Sequence, residues 1–94
     1  MSEPKSESKF TIIIPSYNGG LYLQQCVQSV LSQTYRDLEL AVLEDGSTDG
    51  SLEWLQSLDD GRLKIYPVSD NVGIVENWAR ILEIPKGEYM TILG

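Results

Sequence analysis

The chain has 94 residues, a net charge of -7 and a single cysteine, and these features already exclude several classes of protein. A chain of this length forms at most one domain, and its acidic balance would repel nucleic acid and anionic membrane surfaces. Because there is no histidine and only Cys26, a zinc site is excluded, and any metal would need oxygen ligands.

The first nine residues, MSEPKSESK, are polar and contain no apolar run, so residues 1–9 are predicted to be a disordered tail. Residues 10–94 form the predicted domain. There is no signal peptide and no stretch of about 18 or more apolar residues, which favours a cytoplasmic setting. Membrane association of a longer parent protein is left open.

The first strand is predicted at Phe10–Ile14, a run rich in β-branched residues that Pro15 ends. Turn residues then predict a loop, in which Asn18 is a candidate cap for the helix that follows. From Leu21 to about Thr34 the apolar residues recur with a helical period, which predicts the first helix.

The second strand is predicted at Leu38–Leu43, an apolar run that leads directly into Glu44 and Asp45. Loop and cap residues follow, and a second helix is predicted from about Asp49 to Leu58. In open α/β sheets, ligands bind beyond the carboxyl ends of the strands. A carboxylate there accepts hydrogen bonds, so Asp45 is predicted to bind a small molecule that presents N–H or O–H groups.

The third strand is predicted at Leu63–Val68, where alternating polarity and Pro67 favour an edge position. A third helix opens at Asp70–Gly73 and ends before Pro85. Its predicted apolar stripe consists of Ile74, Trp78, Ile81 and Leu82. The fourth strand is predicted at Tyr89–Leu93.

Strands that alternate with helices predict an α/β fold with a parallel sheet. The order βαβαβαβ gives half of a doubly wound, Rossmann-like sheet with strand order 3-2-1-4. Because Tyr89–Leu93 is apolar throughout, this strand is expected to have two neighbours, and the chain provides only one. The chain is therefore predicted to be the front part of a larger domain, with a strand edge that favours self-association.

Several motifs occur in an order that resembles the opening of family-two glycosyltransferases with the GT-A fold. They are PSYN, SVLSQTY, EDGSTDGS, NVG and KGEYMTILG. The resemblance covers nearly all of residues 10–94. It implies transfer of a sugar from a nucleotide-sugar donor, with inversion at the anomeric carbon, in cell-wall or polysaccharide biosynthesis.

The resemblance also implies a set of substrate-binding residues. By analogy, Pro15 and Tyr17 border the nucleobase and Asp45 accepts a hydrogen bond from the base ring, while Asn18 and Asn71 complete the set. Uracil, thymine and guanine each present a ring N–H that a carboxylate can accept, whereas adenine does not. A UDP, GDP or dTDP sugar is therefore expected, with an unidentified glycan or lipid as the acceptor.

The catalytic and metal-binding residues of the family are expected beyond this chain. In the family the fourth strand leads into an Asp-x-Asp motif that holds Mn²⁺ or Mg²⁺, and this sequence ends at Gly94, before that motif. No catalytic residue and no metal ligand is therefore predicted here, and the 94 residues alone are expected to be inactive. Many relatives carry Ala-Arg-Asn where this chain has Asn77-Trp78-Ala79, so Arg80 is expected to point elsewhere on the helix.

Other classes of α/β protein fit the loop after the first strand less well. A phosphoacceptor signalling domain needs acidic residues there, and a dinucleotide-binding oxidoreductase needs G-x-G-x-x-G, whereas this chain has PSYNGG. A non-catalytic nucleotide-binding or interaction module stays open as the alternative function.

Overall fold

The computed structural model describes residues 9–68 and 71–93, which form one parallel sheet flanked by helices. The strands are β1 (Phe10–Ser16), β2 (Leu38–Asp45), β3 (Leu63–Val68) and β4 (Tyr89–Ile92). The helices are α1 (Gly20–Leu31), α2 (Ser51–Gln56) and α3 (Ile74–Ala79), and a 3₁₀ turn at Arg80–Leu82 continues α3. Apart from Lys9, the predicted tail lies outside the described residues, as does Asp70.

The strands are all parallel and lie in the order β3-β2-β1-β4, which confirms the predicted α/β fold and its 3-2-1-4 order. This order makes β3 an edge strand, as Pro67 predicts, and Pro67 is paired with Glu44 of β2. It leaves β4 at the other edge of the described sheet.

Helices cover both faces of the sheet, so the central strand β2 is buried on each side. On one face, Leu23 and Val27 of α1 and Leu55 of α2 pack against the sheet. On the other face, Ile81 and Ile84 pack against the sheet after α3. This double burial explains why residues 40–43 of β2 are all apolar rather than alternating in polarity.

The boundary between β1 and the following loop differs from the predicted one. β1 continues through Pro15 to Ser16, because β4 pairs with β1 only as far as Ile13. No neighbour on that side therefore needs the N–H group that proline lacks. The prediction of Asn18 as the cap of α1 is wrong, since Gly19 occupies the cap position and no side chain bonds there.

The guanidinium of Arg62, at the start of β3, connects the sheet to the end of α1. Its Nη1 donates to the carbonyl oxygens of Gln33 (2.8 Å) and Tyr35 (2.9 Å), and its Nη2 donates to that of Leu31 (2.7 Å). It also forms an ion pair with Asp60, at 2.9 Å between Nη2 and Oδ2. One buried side chain thus satisfies the carbonyls that α1 and its following loop leave unpaired.

Acid should weaken the fold through Asp60. Hydrogen bonds from the Arg62 side chain lower the pKa of the Asp60 carboxyl to about 2. A group whose pKa is depressed in the folded state stabilises the fold above its unfolded pKa, and this contribution is lost as pH falls towards the folded value. We therefore expect Asp60→Asn to reduce the pH dependence of the unfolding free energy between roughly pH 4 and pH 2.

The measurement is urea unfolding at several pH values across this window. The matched control is Asp59→Asn, which changes an exposed neighbour and should leave the dependence unaltered. If the unfolding free energy depended on pH equally in the two variants, Asp60 would not be the source of the acid sensitivity.

Candidate functional site

A cavity of about 420 Å³ lies at the carboxyl ends of β1 and β2. It is lined by Pro15, Ser16, Tyr17, Asp45, Asn71, Gly73, Asn77 and Trp78. Four of the five predicted substrate-binding residues are therefore brought together in one place, and Asn18 is the exception. The location agrees with the rule that ligands of open α/β sheets bind beyond the carboxyl ends of the strands.

Asp45, the last residue of β2, holds the segment that precedes α3. Its Oδ1 accepts a hydrogen bond from the N–H of Val72 at 2.6 Å. Its Oδ2 accepts hydrogen bonds from the N–H of Gly73 at 3.1 Å and from Nδ2 of Asn71 at 2.8 Å. Gly73 has a φ of 91°, which favours glycine, and this conformation brings its N–H group to the carboxylate. The role of Asp45 towards a nucleobase stays a prediction, and its role in holding this segment is observed.

Asn18 connects the two loops that follow β1 and β2. Its N–H donates to Oγ of Ser47 at 2.7 Å, and its Oδ1 accepts from the N–H of Thr48 at 2.8 Å. Asn18 has a φ of 50°, a left-handed conformation that asparagine tolerates better than most residues. Its side chain is thus used to hold the rim of the site, and its contact with a substrate stays a prediction.

Polar contacts attach helix α3 and the turn after it to the strand ends, in addition to the apolar contact that Ile81 of the predicted stripe makes with the sheet. Nδ2 of the buried Asn77 donates to the carbonyl oxygen of Leu43 at 2.9 Å. Arg80 donates to Oδ1 of Asn77 at 2.7 Å and to the carbonyl oxygen of Tyr66. Carbonyls at the ends of strands need donors, and the polar residues Asn77 and Arg80, which lie beside the predicted stripe, supply them. Arg80 is accordingly absent from the cavity lining.

The position of Trp78 differs from the predicted one. The predicted apolar stripe puts Trp78 and Leu82 on the packed side of the helix, but both side chains are exposed, and Trp78 is 39% exposed at the cavity. Tyr17, which is 51% exposed, also lines the cavity, so two aromatic side chains are available to a planar ligand. The sequence did hold one sign that Trp78 lies at the site. Trp78 aligns with the arginine of the Ala-Arg-Asn run in the family that the chain resembles.

The charged groups around the cavity are few. The residues that line it include Asp45 but no lysine or arginine. Among the described residues, no group of three or more His, Cys, Asp or Glu side chains could hold a metal ion. The part of the chain that is described therefore does not fit the Mn²⁺ or Mg²⁺ that the resemblance implies.

A second cavity, of about 450 Å³, lies at the opposite end of the sheet, where the strands begin. An aromatic cluster lines it, in which Phe10 stacks on Tyr89 at 5.2 Å and meets Tyr35 edge-on at 5.5 Å. None of the predicted site residues lines this cavity.

In the described ranges, no helix is both long enough and apolar enough to cross a membrane.

Comparison with known proteins gives consistent matches. The model of a family described as "Glycosyl transferase family 2" matches residues 11–94. Glycosyltransferase GlyG of Streptococcus pneumoniae serotype 4 is 34% identical over 85 residues, which cover 88% of this chain and 28% of that protein. The chain thus spans little more than a quarter of this relative's length.

The structural matches agree with the sequence matches. The crystal structure of S. aureus TarS 1-349 has a TM-score of 0.78 at 26% identity, over 90% of this chain and 26% of that one. The mannosyltransferase PcManGT from Pyrobaculum calidifontis has a TM-score of 0.62 at 22% identity, over 84% of this chain and 25% of that one. The second match shows the fold alone.

Proposed function

This chain belongs to glycosyl transferase family 2, and we propose that it is the part of a glycosyltransferase that binds the nucleotide of a nucleotide-sugar donor. The observation that carries the proposal is the cavity at the carboxyl ends of β1 and β2, which gathers Pro15, Tyr17, Asp45 and Asn71. PcManGT, which shares the fold, is a mannosyltransferase in complex with GDP-Man and Mn²⁺. Its donor supports a nucleotide sugar as the class of ligand.

The nucleobase lies in this cavity with Pro15 and Tyr17 along its face. Aromatic side chains stack on bases, and Tyr17 exposes half of its surface there. The polar edge of the base faces Asp45 and Asn71, where oxygen acceptors suit a ring N–H. UDP, GDP and dTDP carry such a group and ADP does not. We therefore expect the first three to bind more tightly than ADP in a calorimetric titration, whereas equal affinities would contradict this placement of the base.

We propose that these 94 residues are part of a longer, complete enzyme. It transfers the sugar with inversion to a glycan or lipid acceptor, in cell-wall or polysaccharide biosynthesis. Because the described residues do not fit a metal ion, we assign the expected Mn²⁺ or Mg²⁺ to the Asp-x-Asp motif that the family resemblance implies for the complete enzyme.

If this chain binds the nucleotide and the metal site lies elsewhere in the enzyme, the behaviour of the 94-residue chain can be predicted. It should bind UDP weakly, respond little to Mn²⁺ and transfer no sugar, since the described residues hold no metal site and the general base is expected elsewhere in the enzyme. Calorimetry with and without Mn²⁺ tests the binding, and a longer protein that includes the motif should bind UDP in a metal-dependent way. Sugar transfer by the 94 residues alone would show that the active site is placed wrongly. A longer protein that binds UDP but transfers no sugar would favour the non-catalytic module instead.

We also expect the 94-residue chain to self-associate through β4. Within the described sheet this strand has one neighbour, and Tyr89 and Met90 are exposed. The N–H of Tyr89 donates to the carbonyl oxygen of Lys9, and the N–H of Leu93 donates to that of Ile13. Because N–H groups point alternately to the two sides of a strand, the N–H of Met90 faces the free edge. An unpaired edge recruits another strand.

Sedimentation over the micromolar to millimolar range tests this association. The apparent mass should rise with concentration, and Met90→Pro should abolish the rise by removing an edge donor without breaking the pairing with β1. Met90→Ala is the matched control, because it truncates the same side chain and keeps the donor. A monomer at every concentration, or an equal response of the two variants, would contradict association through this edge.

A further inference from the structure

Two neighbouring residues of the loop after β1 are fixed by the fold, each for a different reason. Gly19 lies where a side chain does not fit, because a Cβ there would come within 2.8 Å of both Cβ of Leu23 and Oγ of Ser16. Asn18 has a φ of 50°, which few residues adopt, and its Oδ1 accepts a hydrogen bond from the N–H of Thr48. The fold therefore favours the dipeptide Asn-Gly at this point of the loop.

An Asn-Gly dipeptide places a backbone nitrogen beside a carboxamide that it can attack, and asparagine is a chemically labile residue. The nitrogen of Gly19 forms a bond to Cγ of Asn18 and gives up its proton, while Nδ2 leaves as ammonia and a succinimide ring closes. Water then adds to one of the two ring carbonyls and opens the ring. One opening gives aspartate, and the other gives isoaspartate, in which the backbone runs through the former side chain.

Both reacting groups are free in the folded chain. Gly19 precedes the first turn of α1, and its N–H has no hydrogen-bond partner among residues 9–68 and 71–93. Within the same ranges, Nδ2 of Asn18 has no partner either. Asn18 is exposed, so water reaches the ring. The missing side chain at Gly19 leaves the backbone the freedom that ring closure needs.

The other two asparagines of the chain, Asn71 and Asn77, are held by hydrogen bonds. Nδ2 of Asn71 donates to Asp45, and the N–H of Val72, which would have to attack, also donates to Asp45 at 2.6 Å. Asn77 is buried within α3, and its Nδ2 donates to a backbone carbonyl of β2 at 2.9 Å. These two residues are therefore internal controls for reactivity at Asn18.

We propose that Asn18 is a modification site, at which the chain deamidates through a succinimide formed with Gly19. The aspartate product keeps an oxygen in the position of Oδ1, so it can still accept from the N–H of Thr48. The isoaspartate product adds a methylene group to the backbone, so the bonds from Asn18 to Ser47 and Thr48 are lost. Deamidation to isoaspartate thus disconnects the loops that follow β1 and β2. The inference concerns the chain itself and holds whether or not a nucleotide binds.

Incubation of the folded chain in mildly alkaline buffer, followed by peptide mass spectrometry, tests the site. We expect an amide to be replaced by a carboxyl group at Asn18 roughly ten-fold or more faster than at Asn71 or Asn77, because both reacting groups are free at Asn18. Isoaspartate should be among the products. Absence of conversion at Asn18, or conversion at the same rate at all three asparagines, would overturn the proposal.

Hydrogen exchange at the amide of Thr48 gives a second readout. Exchange should be faster in the isoaspartate product, after its separation by chromatography, than in the unaltered chain. Asn18→Asp is the matched control, because it carries the same added charge without the longer backbone, and its Thr48 amide should exchange as slowly as in the unaltered chain. Equal exchange in the isoaspartate product and in this control would overturn the loss of the loop connection.

Discussion

Replacement of Arg62 by alanine should lower the melting temperature by about ten degrees or more, the largest stability effect that we expect. The variant loses the hydrogen bonds to the carbonyl oxygens of Leu31, Gln33 and Tyr35 and the ion pair with Asp60. These groups are partly buried, so each one left without a partner carries a desolvation cost. Thermal unfolding followed by circular dichroism measures the change.

Two further variants show whether the effect comes from these contacts. Lys64→Ala removes the same charge from an exposed position of β3 and should change the melting temperature by only a few degrees. Arg62→Lys keeps the charge but loses the planar fork that reaches several oxygens, so it should also be clearly destabilised. Equal losses in Arg62→Ala and Lys64→Ala would contradict the role of the hydrogen bonds.

Replacement of Asp45 by asparagine should weaken UDP binding by about ten-fold or more. The substitution removes the charge that strengthens the bonds from Val72 and Gly73, and it can place an amide N–H group against these donors. The segment before α3 should therefore loosen, and the amide protons of Val72 and Gly73 should exchange faster with solvent. Hydrogen exchange and a UDP titration measure the two effects.

Glu76→Gln is the matched control for this substitution. It makes the same change of charge on an exposed position of α3, away from the segment that Asp45 holds, and should alter neither measurement. Unchanged UDP affinity in Asp45→Asn would remove Asp45 from the site. Unchanged exchange at Val72 and Gly73 would show that these bonds do not hold the segment.

The sheet could be predicted from the sequence because its signals are local. The apolar run from Leu38 is long enough for a strand buried on both faces, and Pro67 indicates an edge. Alternation of strands and helices then limits the topology to parallel pairing with right-handed crossovers. These features agree with the observed strand order and with a cavity at the carboxyl ends of the strands.

Helix α3 could not be predicted as well, because its environment is not local. Periodicity assigns Trp78 and Leu82 to the packed side, but the helix lies over the ends of β2 and β3, where backbone carbonyls need donors. Asn77 donates to the carbonyl oxygen of Leu43 and Arg80 donates to that of Tyr66, so the side of the helix that faces the strand ends is partly polar. Helical periodicity assumes an apolar partner surface along the whole stripe, whereas here Ile81 packs against apolar core residues and Trp78 and Leu82 are exposed.

The partners of Asp45 and Arg62 were missed for a related reason. Asp45 contacts residues that are 26 to 28 positions later in the chain, and Arg62 contacts residues that are 27 to 31 positions earlier. Turn and strand signals show where each residue stands in the chain, but they do not show which donors or carbonyls the finished fold brings to it. The position of the cavity at the strand ends was thus predictable, whereas the use of the Asp45 carboxylate within the chain was not.

An NMR titration of the 94-residue chain with UDP tests the central claim most directly, because the protein has a cavity at each end of its sheet. We expect the amide signals of Tyr17, Gly73 and Asn77 and the indole signal of Trp78 to shift, with an affinity in the millimolar range. Shifts centred instead on Phe10 and its aromatic neighbours at the opposite end, or no shifts at all, would contradict a nucleotide site at the carboxyl ends of the strands.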